Sequence, residues 1–144
     1  SARDVPEMKI DREAIAAIAG TKVYNISLGE GTFLNVFSES EDRKKYQLWI
    51  YLADWAITKN GNEVCSSDSI YNFTQEILDR IVSECIQYQS ICVLDEEELH
   101  FDFTNNVVLE VWANGVAYGA GAEMAMLFCN DSLIGEVFAG NNPA

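Results

Sequence analysis

The stretch LDEEELHFDF, residues 94–103, brings together five carboxylates and a histidine, side chains that could carry acid–base or metal chemistry. Four consecutive acids lead into the only histidine, His100, and Asp102 follows it. If the alternate apolar residues of this stretch face a core, His100 and Asp102 point together to the opposite face. A histidine beside a carboxylate can act as a general base, so one hypothesis is a small hydrolase that uses this pair.

The four acids themselves, Asp95 to Glu98, fit a different role. Acid–base catalysis needs carboxyl groups that burial places in contrasting environments, whereas adjacent side chains at the start of a strand diverge into water. A calcium loop requires spaced oxygen ligands and a turn glycine, and the sequence has neither at this point. The stretch therefore favours an acidic rim that meets a basic partner over a catalytic or metal centre.

Other catalytic and cofactor motifs are missing from the sequence. It contains no GxSxG, no HExxH and no P-loop, and a single histidine leaves few ways to activate a nucleophile. The glycine-rich NGVAYGAGAE, residues 114–123, lacks the GxGxxG order and precedes a strand-like segment, so it indicates a connection or a bulge. We expect no enzymatic activity and no cofactor.

The four cysteines show neither a CxxC motif nor partner histidines, so their spacing does not predict a zinc or redox site. Cys85, Cys92 and Cys129 lie among apolar residues, which indicates reduced positions in a core. A disulfide would be expected only if the chain is exported. No metal site is predicted.

Composition indicates one compact domain. The chain has 144 residues, of which 49% are hydrophobic and 11% aromatic, and this provides enough apolar surface for a substantial core. We place the domain at residues 8–139. Residues 1–7 are expected to be an appended or frayed start, and residues 140–144 a loose tail.

Negative charge dominates the sequence, since 9 lysines and arginines stand against 23 aspartates and glutamates and the formal net charge is -14. Such a field repels nucleic-acid phosphates and anionic lipids and attracts basic proteins, so we expect neither nucleic acid nor membrane as a partner. The basic triplet 43–45 lies inside the acidic run SESEDRKKY, which indicates a charge-compensated loop. No segment has the pattern of a membrane span or a signal peptide, so we expect a cytoplasmic protein.

Periodicity and turn signals divide the chain into short strands and two helices. A short helix is predicted at residues 11–19, capped by Asp11 and ended by Gly20, and a long amphipathic helix at residues 69–87. Nearly continuous apolar character predicts one central strand at residues 46–57. The other strands are predicted at residues 22–28, 32–38, 62–65, 91–94, 99–104, 107–113, 123–129 and 133–138, with tight turns at Asn60-Gly61 and Asn105-Asn106.

The two halves of the chain resemble each other in pattern. FLNVFSES leading to QLWIYLADW is echoed by LHFDFTNN leading to VLEVWANG, which matches Leu34 with Leu99 and Leu48 with Leu109. The long helix lies between the two halves. The predicted fold class is therefore α+β, with an antiparallel β-sheet built from two similar strand-turn-strand units, packed on one main helix, and with a short N-terminal helix.

Asp54 is an acid inside an apolar stretch, where burial without a partner would be costly. It therefore marks a strand end, a pocket or a contact surface. Trp49, Tyr51 and Trp55 share a parity on the same predicted strand, and Trp112 stands at the corresponding place in the second unit. These aromatic residues belong either to the core or to an interface that combines aromatic rings with acids.

These features together resemble the small acidic immunity proteins encoded beside bacterial polymorphic toxins, including those of contact-dependent growth inhibition systems. The likeness is carried by the repeated units ending in LWIYLADWAI and LHFDFTNNVVLEVWAN, by the AEMAMLF strand and by the strong negative charge, and it spans most of residues 10–138. The resemblance implies a cytoplasmic protein that binds one toxin domain and neutralises it, with no shared catalytic residues to transfer.

We therefore expect a non-enzymatic immunity protein that binds a cognate toxin domain, basic and of the nuclease type, through acids beside aromatic residues. The expected partner-binding residues are Glu39, Glu41, Asp42, Asp54, Asp95, Glu96, Glu97, Glu98 and Asp102. Glu76, Asp79 and Glu84 of the long helix offer a second acidic face. The alternatives are a DNA mimic with two rows of carboxylates and the hydrolase built on His100 and Asp102, and the oligomeric state is left open.

Overall fold

The computed structural model describes residues 8–94 and 98–140 of the chain. Within these ranges the protein is mostly antiparallel β-structure with a few short helices, which confirms the α+β class in its coarse form. The strands are β1 (Lys9–Ile10), β2 (Lys22–Leu28), β3 (Leu34–Glu39), β4 (Lys45–Ile50), β5 (Asp54–Lys59), β6 (Asn62–Ser66), β7 (Tyr88–Leu94), β8 (Glu98–Phe103), β9 (Val107–Trp112), β10 (Glu123–Cys129) and β11 (Ser132–Phe138). The helices are α1 (Arg12–Ala16), α2 (Thr74–Ser83) and α3 (Gly115–Tyr118). The expected frayed start at 1–7 and most of the expected tail lie outside the described residues.

The strands form two sheets instead of the single sheet that the sequence predicts. The first sheet has six strands in the order β1-β11-β10-β4-β3-β2, and the second has five in the order β6-β5-β9-β8-β7. The inward-facing residues of both sheets belong to one continuous hydrophobic core, in which Trp55, Tyr88 and Phe101 are the largest fully buried side chains. The long helix contacts β2 and β6, so it does not serve as the single support of one sheet.

The tight turns follow the chemistry of asparagine and glycine. Asn60 and Gly61 both have positive φ, at 52° and 81°, as do Asn105 and Asn106, at 63° and 57°. Two successive positive φ values suit the twist of a two-residue hairpin, and few other residues tolerate them. Both turns are where the sequence predicts them, and a third of the same kind at Asn130, which begins the β10–β11 connection, was not predicted.

The prediction of one central strand at residues 46–57 is wrong. The chain leaves the first sheet after Ile50 and enters the second at Asp54. At the start of this connection, the Tyr51 N–H bonds to the Met124 carbonyl. Inward-facing residues are even-numbered in β4, as Leu48 illustrates, and odd-numbered in β5, as Trp55 illustrates. Both segments are apolar, so composition alone could not separate them.

The prediction of a helix at residues 69–87 is too long at both ends. Ser69 instead pairs with Ser66, and the Thr74 hydroxyl accepts a hydrogen bond from the Tyr71 N–H at 2.8 Å, so residues before α2 form turns. At the other end Cys85 adopts a φ of 60°, which directs the chain into β7. Polar side chains that bond to nearby backbone compete with the helix at such points.

The first three strands of each half share one register. In β2 the ladder pairs Val23 and then skips Tyr24, and in β7 it pairs Tyr88 and then skips Gln89, 65 residues further along the chain in each case. The bulge therefore falls at the same place in both three-stranded meanders, the first formed by β2, β3 and β4 and the second by β7, β8 and β9. This shared register equates Leu34 with Leu99, as their sequence contexts predict.

The remaining hairpins are exchanged between the sheets. The β5–β6 hairpin follows the first meander in the chain but pairs with β9 of the second, while the β10–β11 hairpin follows the second meander but pairs with β4 of the first. The two hairpins also share a bulge, which falls after Ile57 in one and after Leu127 in the other, 70 residues apart. Each sheet thus combines a meander from one half of the chain with a hairpin from the other.

Candidate functional site

The outward face of the second sheet carries the acidic stretch that the sequence singles out. In β8 the apolar residues Leu99, Phe101 and Phe103 are buried, and the intervening positions point outward, as predicted. His100 and Asp102 are half-buried on that outward face. Strand alternation therefore placed this part of the site correctly.

Neighbouring strands add further carboxylates to the same face. The ladder sets His100 opposite Glu110 of β9, and Thr58 opposite Glu63 of β6. We call the resulting surface the carboxylate face, and it consists of Asp54, Glu63, Glu98, Asp102 and Glu110. Among the described residues, the outward-facing strand positions of this sheet hold no lysine or arginine, so the negative charge here is not neutralised within the sheet.

His100 lies between two glutamates at the centre of the carboxylate face. Its Nε2 atom is 2.7 Å from Glu98 Oε1 and 3.7 Å from Glu110 Oε2, and 20% of its side chain is exposed. The carboxylate of Glu98 is thus its hydrogen-bond partner. A protonated imidazole at this point would offset part of the repulsion between the two acids.

The same three side chains are the ones in the described chain that could hold a divalent metal ion, since their ligand atoms lie within 4.8 Å of one another. Imidazole and carboxylate donors suit zinc and similar ions. Ligands that share a tetrahedral zinc lie about 3.4 Å apart, whereas Glu98 and His100 are at hydrogen-bonding distance. As arranged, the cluster is a hydrogen-bonded group, and it would have to open to take a metal ion.

The catalytic pair of the hydrolase hypothesis is not brought together. His100 bonds to Glu98, while the Asp102 carboxylate accepts a hydrogen bond from the Ser90 hydroxyl at 2.9 Å. Cys92 lies directly opposite His100 on β7, where its thiol is exposed. No hydrogen bond joins Cys92 to the imidazole in the part of the chain that the structure describes.

The cysteines differ from the sequence prediction. Cys85 and Cys92 are exposed rather than buried, and Cys129 is half-buried. Cys65 is the buried one, and burial raises the pKa of its thiol to about 12. Apolar neighbours in sequence mislead here because the hydrophobic residues beside Cys92 point to the other side of the strand.

Asp54 begins β5 and is held by two polar neighbours. Its carboxylate accepts a hydrogen bond from the Asn114 amide at 2.8 Å and one from the Ser67 hydroxyl at 3.3 Å. The Asn114 amide also caps α3, by accepting the Ala117 N–H at 3.0 Å. Asp54 therefore marks a strand end, which is one of the three explanations that the sequence allowed. Through Asn114 it links the start of β5 to the glycine-rich connection at residues 114–123.

The expected contact residues of the β3–β4 hairpin belong to the other sheet, and lysines lie beside two of the three, Glu39 and Asp42. Glu39 stands opposite Lys22 on one side and Lys45 on the other. The Ser40 hydroxyl, which donates to Asp42, holds the pKa of that carboxyl below its ordinary value. Glu41 is exposed on the same hairpin. These three acids are therefore separate from the carboxylate face, and Asp95, Glu96 and Glu97 lie outside the described residues.

One of the three acids that the long helix offers is paired with a cation. Glu84 forms an ion pair with Lys59, and Asp79 accepts a hydrogen bond from the Gln75 amide at 2.9 Å. Glu76 is exposed on the first turn of α2. The second acidic face that the sequence offered is thus weaker than the carboxylate face.

Sequence reasoning missed Glu63 and Glu110 as members of the site. The signal for Glu110 was present, because in VVLEVW it stands between buried Leu109 and Val111 and must point outward. What the sequence did not reveal is that β9 lies beside β8 with His100 opposite Glu110. That pairing depends on the ladder register.

The first sheet provides an internal comparison for this face. By the shared register, the positions of His100 and Asp102 correspond to Asn35 and Phe37 of β3, and that of Glu110 corresponds to Trp49 of β4. The first sheet is thus aromatic where the second is acidic. Since the same strand plan accommodates both, the carboxylates are not required by the fold.

A second carboxyl pair lies in the first sheet, between Glu123 of β10 and Glu136 of β11. Burial, and to a lesser degree the adjacent Glu136, raises the pKa of Glu123 to about 7. One Glu123 carboxylate oxygen is buried without a hydrogen-bond partner among the described residues, as is the Trp49 indole N–H. This pair is not part of the carboxylate face.

Comparison of the chain with protein families, with curated proteins and with solved structures found no match. No helix in residues 8–94 and 98–140 has the length and apolar character needed to cross a membrane.

Proposed function

We propose that this protein is a non-enzymatic immunity protein that binds a basic toxin domain of the nuclease type through the carboxylate face and neutralises it. The single observation that supports the proposal most strongly is the composition of that face, with Glu98, Asp102 and Glu110 on adjacent strands and no lysine or arginine at the outward positions described. We further propose that the protein works in the cytoplasm, where such a toxin domain would act.

The physical argument begins with charge. A formal net charge of -14 attracts a cationic protein over long distances, and such steering raises association rates by roughly 10- to 1,000-fold at low salt. An inhibitor of a toxin benefits from fast capture. The carboxylate face determines where the attracted partner binds, because like charges gathered on one rigid sheet form a defined docking patch.

The rigidity of the patch also favours binding. Its side chains stand on four adjacent strands, β6, β5, β9 and β8, whose inward residues, such as Phe101 and Leu109, are fully buried. A preformed surface loses less conformational entropy on association than a flexible loop. Half-buried Trp112 lies beside Glu98 in the ladder and provides an aromatic contact within the acidic patch.

The proposal specifies the partner to be tested, which is a basic toxin domain encoded beside the gene of this protein. The triple variant Glu98→Gln, Asp102→Asn and Glu110→Gln removes three charges from the face without changing side-chain size. We expect its association rate with that domain to fall about tenfold or more at low salt, and protection of cells that express the domain to be lost. Rapid-mixing kinetics and growth assays measure the two effects.

The matched control removes the same charge elsewhere. Glu13, Glu76 and Asp131 are exposed and lie off the carboxylate face, so their amide variants change the net charge equally. We expect this control to retain protection and most of the association rate. Equal losses in the two triple variants would reject a local docking patch, and loss of protection in His100→Ala with binding intact would favour the enzymatic alternative.

A further inference from the structure

Strands β2 and β7 are equivalent in the two meanders, and each is the outermost strand at one end of its sheet. They meet only where they begin. There the Val23 N–H bonds to the Ile86 carbonyl and the Tyr88 N–H bonds to the Thr21 carbonyl, both at 3.0 Å. Beyond this contact the two edges separate, and each must find other partners for its outward backbone groups.

The edge of β2 is closed by the long helix. The Gln75 amide of α2 donates to the Ile26 carbonyl at 2.8 Å, and its oxygen accepts the Leu28 N–H at 3.2 Å. One side chain thus bonds the backbone groups that a further strand would bond. Edges covered in this way do not recruit other chains.

The corresponding edge of β7 is open. By the shared register, Ile91 and Val93 correspond to Ile26 and Leu28, so their backbone groups point away from β8. In residues 8–94 and 98–140, no hydrogen bond reaches those groups from elsewhere in the chain. The helix on this side, α1, has 5 residues against the 10 of α2 and carries no equivalent of Gln75.

An apolar groove of about 240 Å³ lies between this edge and α1. Small side chains on the helical side, including Ala16 and Ala19, leave the space that larger residues would fill, and Ile91 and Val93 line the opposite wall. The outward positions of the same strand, such as Cys92, are exposed and adjoin β8 of the carboxylate face. Open backbone, an apolar groove and an acidic face therefore meet along one strand.

We propose that β7 is a docking edge that takes an extended segment of the basic partner as a sixth strand of the second sheet. Backbone groups of Ile91 and Val93 would bond the incoming strand, its alternate apolar side chains would enter the groove, and the interleaved basic side chains would face outward near Glu98 and Asp102. This mode of recognition combines backbone affinity with side-chain specificity. The proposal rests on the proposed function for the identity of the partner.

Charge decides between a basic partner and a second copy of this chain. Two copies joined through β7 would extend one sheet across the junction and bring two carboxylate faces side by side. Repulsion between their acids would oppose that assembly. An incoming strand with lysine or arginine at alternate positions is instead attracted to the outward acids, and the charge of Arg12 at the groove opposes basic side chains at the inward positions.

The experiment uses the whole chain and a seven-residue acetylated peptide that alternates lysine and valine, followed by amide NMR. We expect the largest shifts at Ile91 and Val93. Val93→Pro removes an N–H that points away from the sheet, and Ala16→Leu fills the groove, so each should weaken binding about tenfold or more. Ala17→Leu adds the same bulk at an exposed position outside the groove and should bind the peptide normally.

Backbone pairing has a signature that charge attraction lacks. Two peptides N-methylated at alternate residues, one at the valines and one at the lysines, should differ about tenfold in affinity, because only one set of N–H groups faces the sheet. Equal affinity for both, or no effect of Val93→Pro and Ala16→Leu, would overturn the edge proposal while leaving the proposed function in place. A peptide that docks on β7 while the neighbouring basic domain fails to bind would instead retain the edge and reject the proposed function.

Discussion

Glu123 and Glu136 show how a sheet position sets the protonation of single residues. The two carboxyl groups lie on adjacent strands, and burial raises the pKa of Glu123 from 4.5 to about 7. A carboxyl group that is harder to ionise in the folded state binds its proton more tightly there than in the unfolded chain. Folding is then favoured at low pH and loses this contribution as the pH rises.

We expect the free energy of unfolding to decrease by about 1 kcal/mol between pH 4.5 and 7 because of this pair, and to level off above that range. The figure is well below the full value of the shift because the side chain keeps contact with water. Urea unfolding at a series of pH values measures the change. Glu123→Gln removes the titrating carboxyl group and should abolish this contribution to the slope, whereas Glu13→Gln on α1 should leave it as it is, and an unchanged slope in Glu123→Gln would contradict the account.

At the residue scale, the sequence predicts which side chains point outward but not which of them meet. The alternation in LHFDF correctly separates His100 and Asp102 from the buried phenylalanines. It could not reveal that Glu98 would bond the imidazole, or that Ser90 would bond Asp102, because those contacts depend on rotamers and on the register of β7.

Helix α1 is held against the first sheet by a close approach at Gly135. A Cβ atom added at this position would lie 2.8 Å from the Ala14 Cβ, and the neighbouring atoms of Asp11 and Ile15 would be 3.8 Å away. The side chain is excluded by packing and not by backbone conformation, since Gly135 does not have a positive φ. The glycine therefore lets the helix sit directly on β11.

We expect Gly135→Ala to destabilise the protein by about 1 to 3 kcal/mol, because α1 must shift away from β11 to admit the methyl group. Thermal or urea unfolding gives the value. Gly115→Ala at the start of α3 is the matched control, since nothing lies within 4 Å of the added Cβ there, and it should be near neutral. Adding Ala14→Gly to Gly135→Ala should restore part of the loss, and a fully neutral Gly135→Ala would reject the packing argument.

At the element scale, the sequence is most informative where local chemistry decides. The strands at residues 22–28 and 123–129 have the predicted bounds, and the Asn60-Gly61 and Asn105-Asn106 turns form because positive φ is needed at both residues. The two-residue strand β1 was not predicted, since its pairing with β11 is a long-range contact. The long helix was overextended because its apolar period continues into residues that form turns.

At the scale of the whole molecule, the exchange of hairpins ties the two halves together. Each sheet needs strands from both halves, since β5 pairs with β9 and β10 pairs with β4. The sequence predicts two similar units, but every hairpin in them is apolar on one side and polar on the other. Pattern therefore could not determine which meander each hairpin joins, and the two-sheet arrangement was not foreseen.

The exchange also determines what a separated half can do. Residues 8–70 alone would leave β4 and β5 each with an unpaired edge. A homodimer of this half could exchange hairpins with itself, but the shared register would then place a second Trp55 where the native core has Ala125. The extra volume of tryptophan would overpack that core, so the two different halves should prefer each other.

We expect residues 8–70 and 71–140, produced separately, each to lack the near-ultraviolet circular dichroism of a packed core, and their mixture to recover it as a one-to-one complex. The cut falls among exposed residues between β6 and α2, so it removes no strand. Trp55 is fully buried and its indole N–H donates to the Thr32 carbonyl at 2.7 Å, so its fluorescence should shift to shorter wavelength on mixing. Intact protein cut at the same bond after folding gives the reference signal. A native-like monomer of either half alone would contradict the exchange, because it would show that one half completes a sheet without strands from the other.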